Sequence, residues 1–230
     1  MLDAANNSPS QTGQSGHPGV RTMGLLKGIG IIVLAAVLFA AVGLTVGKVF
    51  VWNNYDKSSQ LDRELRENQE KVKGDPNNAL LHVQLGWDYF LKGDNERAIS
   101  ENKKALSLDP KNYAAFYNMG MAYYKSKQYD RAVSAYKEAI AIVPKAFAPH
   151  LGIGIAYTEI KKYDEALQEL QIAAKYDPGS PETMFWSGVA YEKKGDIDNA
   201  VKSYKWALEY EPNYAEAKAA LDRLSKAPAK

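Results

Sequence analysis

Three regimes of hydrophobic patterning follow one another along the chain. The first is continuous: Gly28 through Gly47 are 20 residues without a charge, bounded by Lys27 and Lys48. At ~1.5 Å per helical residue such a run spans the ~30 Å hydrocarbon core of a bilayer, where a helix satisfies every backbone polar group. The second is sparse. Residues 56–73 are polar and helix-forming, with Leu61, Leu65 and Val72 as a narrow apolar stripe, and Gly74-Asp75-Pro76 ends them. The third is periodic: apolar and small residues recur with one spacing from residue 79 to residue 214. A last stripe, Tyr214, Ala217, Leu221 and Leu224, predicts one further helix over 213–226.

The spacing of the third regime is read from its prolines. Pro76, Pro110, Pro144, Pro178 and Pro212 stand 34 residues apart, and all but Pro144 follow Asp or Glu. Placing each proline at position 32 divides the chain into units 79–112, 113–146, 147–180 and 181–214. Position 8 is then Gly86, Gly120, Gly154 and Gly188, and position 11 is Tyr89, Tyr123, Tyr157 and Tyr191. Position 20 is Ala98, Ala132, Ala166 and Ala200, and position 27 is Ala105, Ala139, Ala173 and Ala207. Glycine and alanine let two antiparallel helices approach closely, and large apolar residues at positions 7 and 11 fill the remaining space. Polar turns such as Lys92-Gly93-Asp94-Asn95 separate the two helices, and proline ends the second. No unit buries its apolar face alone, so the units must stack.

These five positions, matched in four units, resemble the tetratricopeptide repeat. The resemblance covers about 136 of 230 residues. It implies an all-α fold: a solenoid of four helix-turn-helix repeats within 77–214, wound as a right-handed superhelix and closed by a capping helix over 213–226. Residues 53–76 read as a juxtamembrane helix and degenerate half-repeat, because Glu64 and Lys71 occupy its small positions. The remaining expected segments are a disordered tail (1–24), a single transmembrane helix (25–52) and a loose tail (227–230).

A cleaved signal peptide has a shorter apolar core and small residues at its cleavage site; the run here is longer and no such site follows it, so an uncleaved anchor is expected. Met23 is an alternative start. Arg21 and Lys27 balance Lys48 and Lys57; with Met23 as the start, the short N-terminus would stay inside, and the repeats are then expected on the extracytoplasmic side of the cell membrane.

Composition removes several kinds of chemistry. With 29 Lys and Arg against 27 Asp and Glu there is no field to draw nucleic acid. No Cys and three His leave no disulfide, zinc-ligand spacing or thiol nucleophile. His17 lies in the tail, and His82 and His150 fall at position 4, a packing position. No phosphate-cradling loop or nucleophile–base pair is present, so neither a cofactor nor catalysis is expected.

The resemblance also implies that a partner lies in the groove lined by the first helix of each unit. Position 5 there is Val83, Tyr117, Leu151 and Phe185, and position 12 opens with Phe90 and Tyr124. Position 9, where the family commonly has a backbone-binding Asn, is Trp87, Met121, Ile155 and Val189, and Leu80 and Leu91 extend the apolar line. Only Asn118 matches the family's carboxylate clamp, so binding of chaperone tails is not expected. Two readings of the apolar line stand open: packing against neighbouring helices, or a seat for an apolar or amphipathic helical segment. That segment is a partner's, the chain's own 56–73, or a second copy's. The architecture suggests a membrane-anchored adaptor in a bacterial envelope assembly, export or maturation complex. The alternative is a structural subunit that self-associates through the groove and the small-residue face Ala36, Ala40, Gly43 and Gly47.

Overall fold

The computed structural model describes residues 59–226. The expected N-terminal tail, the transmembrane helix with its 28–47 span, and the 227–230 tail lie outside the described residues. Among the described residues there is no strand, and no helix is long and apolar enough to cross a membrane.

Ten helices follow one another there. After α1 (59–74) come α2 (Ala79–Leu91) and α3 (Asn95–Leu108), α4 (Tyr113–Lys125) and α5 (Tyr129–Ile142). Then follow α6 (Phe147–Glu159) and α7 (Tyr163–Tyr176), α8 (Pro181–Lys194) and α9 (Ile197–Tyr210), and α10 (Ala215–Ser225). Each pair packs internally, then against the next, and α2, α4, α6 and α8 also touch in series, so these four helices line one face.

The repeated glycines explain the close pairing. The side chain at position 24 lies directly over the glycine at position 8. A Cβ at Gly120 would sit 2.5 Å from the Tyr136 ring, at Gly154 2.6 Å from Leu170, and at Gly188 2.6 Å from Tyr204. Tyr136 also presses on the next unit, where a Cβ at Gly152 would stand 2.6 Å from its ring. In the first unit the residue over glycine is Asn102, fully buried, with its Nδ2 donating to the Ala98 carbonyl at 2.8 Å and its Oδ1 without a partner. Large apolar side chains hold position 7 in three units, as Leu85, Met119 and Ile153. The fourth departs from that expectation: Ser187 stands there, beside a cleft of about 490 Å³ that Trp206 also lines.

The turns are of two kinds. In the outer units Gly93 and Gly195 take positive φ, and Asp94 and Asp196 cap the following helix by accepting from Arg97 and Asn199 backbone amides. In the middle units the same left-handed backbone is held by Lys127 (φ 58°) and Lys161 (φ 64°), followed by Gln128 and Lys162, which make no capping bond. A side chain there is sterically disfavoured, so these two turns are the weaker pair.

At the N-terminal end α1 lies on α2. Leu65 and Val72 pack against the Leu85, Tyr89 and Ala98 cluster, but the rest of the interface is polar. Asn68 Nδ2 donates to Asp88 at 2.7 Å, Gln69 Nε2 to the Tyr89 hydroxyl at 3.0 Å, and Lys92 Nζ to Asp62 at 2.6 Å. The residues equivalent to Asp88 in later units are Ala122, Ala156 and Ala190, all fully buried, so only this interface buries a carboxylate at that place.

Candidate functional site

The face lined by α2, α4, α6 and α8 changes character along its length. At the α2 end three large apolar side chains stand open: Leu80 at 60% exposure, Trp87 at 37% and Leu91 at 47%. Trp87 stacks on half-buried Phe90, ring centroids 5.3 Å apart. Along the middle, Met121, Tyr117 and Tyr124 are half-buried against the cluster around Met119, Tyr136 and Ile153. Ile155 rests on the cluster of Leu151, Leu170 and Ala190, and Phe185 and Val189 rest on that of Tyr204 and Ala217.

Three of the expected groove residues are buried: Val83 among Ala105 and Ala115, Leu151 in the next core cluster, and Asn118. The line at position 9 is therefore open at Trp87 and half-covered at Met121, Ile155 and Val189. Val83 and Leu151, both at position 5, sink against the small residues of neighbouring helices, whereas Tyr117 and Phe185 at the same position stay half-buried.

Tyrosines supply the polar atoms of the middle. Burial pushes the Tyr124 hydroxyl up to about 12, with Glu159 and Tyr129 adding to it, and burial alone raises Tyr113. Tyr136 is also pushed up by burial, and Tyr204 by burial and by the bond its hydroxyl donates to Glu192 at 2.7 Å. These groups are neutral at physiological pH, able to donate and to accept. Towards α10 the groove becomes charged. Arg223 Nη2 holds both Glu192 oxygens at 2.6 and 2.7 Å, and Lys193 pairs with Glu159 at 3.2 Å.

The two position 4 histidines are buried, and each has a partner that sequence reading missed. His82 Nδ1 lies 2.7 Å from Glu101 and His150 Nδ1 2.7 Å from Glu169. The signal was available: both glutamates follow their histidine by 19 residues, at position 23. His82 Nε2 also lies 3.0 Å from the Pro76 carbonyl, so both ring nitrogens are engaged. Neither histidine opens onto the groove. Among the described residues no group of His, Cys, Asp and Glu is placed to hold a metal ion.

Comparison with known proteins places this geometry. Three tetratricopeptide repeat family models match, over residues 88–127, 123–183 and 181–214. Among solved structures, MamA is 30% identical with a TM-score of 0.62, over 70% of this chain and 94% of that one. YrrB, described as a TPR protein with an unusual peptide-binding site, is 22% identical with a TM-score of 0.61, over 74% and 88%. A thermophilic TPR protein of Thermus thermophilus, TTC0263, is 19% identical with a TM-score of 0.62, over 75% and 94%. The last two likenesses concern the fold alone. No curated protein sequence matched the chain.

Proposed function

The chain belongs to the tetratricopeptide repeat family, and from that premise we propose that it is a scaffold, not an enzyme, whose concave groove seats an apolar or amphipathic helical segment of a protein partner. The observation that carries this is the run of open apolar side chains, Leu80, Trp87 and Leu91, continuing into a floor of half-buried tyrosines. Contiguous apolar surface rimmed by polar residues marks an interaction site. The uncharged 28–47 stretch supports anchoring in the cell membrane, and on this reading the scaffold holds its partner at the extracytoplasmic surface during bacterial envelope assembly, export or maturation.

Site-specific crosslinking at Trp87 in intact cells, with mass spectrometry of the captured protein, tests the groove. With the crosslinker moved to Leu91, Trp87→Asn with Met121→Asn should weaken capture by about 1 kcal/mol or more per anchor. Undiminished capture by that double variant would overturn the groove reading. Protease accessibility in spheroplasts tests the side of the membrane. Self-association is the second reading, favoured by Ile197, Trp206 and Tyr210 standing open on α9, away from the groove. Sedimentation in mild detergent, with and without residues 1–55, separates the two.

A further inference from the structure

One joint of the stack is left unfilled. Positions 4, 7 and 23 close the space between the second helix of one unit and the two helices of the next. In unit three, fully buried Ile153 packs with Val133 and Tyr136 of the preceding unit, and His150 bonds to Glu169. In unit four the same positions hold Met184, Ser187 and Ser203. What remains is the cleft of about 490 Å³, lined from α7, α8 and α9 by residues none of which belongs to the partner groove.

The lining has three properties. The first is an unmade hydrogen bond. Ser187 Oγ donates back to the Thr183 carbonyl at 2.8 Å, as a helical serine commonly does. Ser203 is only 7% exposed, lines the cleft, and its hydroxyl has no partner among the described residues. A buried hydroxyl without a partner is costly unless something entering the cleft supplies one. The second is an open ring: Trp206 is 55% exposed at the edge, and no other ring stacks on it among the described residues. The third is neutrality. Asp164 is the one charged residue of the lining, and Lys194 already pairs with it. Gln168 and Gln171, on α7 across from Trp206, add two side-chain amides that have no partner among the described residues.

We infer that this cleft is a saccharide site, seating a pyranose unit of a neutral glycan. The volume falls within the ~300–1,000 Å³ of small-molecule sites. An anion would find no free cation on the lining and a cation no free carboxylate, while a wholly apolar ligand would leave Ser203 unpaired. A pyranose has what the lining lacks. The C–H bonds of one sugar face rest on the electron-rich indole face of Trp206, and its hydroxyl edge both donates and accepts. Ser203 and the two glutamine amides have the same double capacity.

The test applies the labelled full-length protein, in a detergent without a sugar head group, to a glycan array, and then titrates a retained oligosaccharide calorimetrically. Wild type should retain neutral or N-acetylated glycans in preference to sulfated or sialylated ones. Ser203→Ala should weaken binding about fivefold, the worth of one hydrogen bond, and Trp206→Ala about tenfold or more. Ser187→Leu restores the filling that Leu85 gives the first unit, and should abolish binding without lowering the thermal midpoint. Retention of no glycan overturns the inference, as does a preference for charged ones. Wild-type affinity in folded Ser187→Leu overturns the site. If that variant does not fold, Trp206→Ala decides, because it truncates an exposed side chain; unaltered affinity there is equally fatal. Loss of self-association in Trp206→Ala, with no glycan retained by the wild type, makes the cleft an interface between copies and overturns the saccharide assignment.

Discussion

Replacing Asn102 with leucine should stabilise the stack. Asn102 fills the place over Gly86 that Tyr136, Leu170 and Tyr204 fill over their own glycines, and its Oδ1 is buried without a partner. An unsatisfied buried acceptor costs about 1–3 kcal/mol, and the added apolar burial of leucine is worth about 1–2 kcal/mol. Against these stand the lost bond to the Ala98 carbonyl, about 1 kcal/mol, and crowding against Gly86, about 1–2 kcal/mol. Leu170 over Gly154 is the internal precedent that a leucine fits such a site. The net expectation is a gain of about 1 kcal/mol, or a rise of about 2–4 °C in the thermal midpoint of a domain this size. Thermal unfolding of the full chain in mild detergent, followed by helical circular dichroism, measures it. Asn102→Ala is the control: it relieves the same acceptor but leaves a void, so it should not stabilise. A lower midpoint for Asn102→Leu than for wild type would refute the reasoning, because crowding and the lost bond would then outweigh the orphaned oxygen.

Other substitutions probe three separate features. Burial raises the Asp88 carboxyl above its ordinary value, outweighing the bond from Asn68, so the folded state holds this proton more tightly than the unfolded chain does. Stability then falls as pH rises from about 4 through the raised value; Asp88→Asn should be more stable at pH 7 and lose that advantage near pH 4, and parallel urea curves at both pH values would show otherwise. Lys127→Gly, together with Gln128→Asp, copies the outer turns into a middle one and should add about 1 kcal/mol, read from the urea midpoint; a loss would show that left-handed backbone is not the weakness there. Gly152→Ala should cost about 1–2 kcal/mol against the Tyr136 ring, whereas Gly74→Ala, with nothing within 4 Å, should gain about 0.5 kcal/mol; equal signs would break the packing argument.

The helix pairs were legible because the same small residues recur where two helices touch, and a contact stated four times in sequence is hard to misread. Exposure within the groove was less legible. Whether Val83 or Leu151 reaches solvent depends on the side chains of neighbouring helices, which no single position reveals. The α1 interface hid for a related reason: Glu64 and Lys71 looked like lost packing positions, while Asn68 and Asp88 had replaced packing by hydrogen bonding. His82 and His150 were placed correctly in packing positions, but their bonds to Glu101 and Glu169 needed a pairing of positions 4 and 23 across the turn.

That pairing alternates along the chain. Units one and three carry histidine at 4 and glutamate at 23, whereas units two and four carry Phe116 with Ala135 and Met184 with Ser203, each followed by tyrosine at 24. The 34-residue rhythm therefore overlies one of twice the length. It reads as descent by copying a two-unit block, with the seam between Ala146 and Phe147, where the helix start also lacks a side-chain cap. A lineage built this way lengthens or shortens most safely in steps of two units. Losing residues 113–180 would still set an odd unit against an even one, whereas losing either internal unit alone would bring like against like and force a new joint.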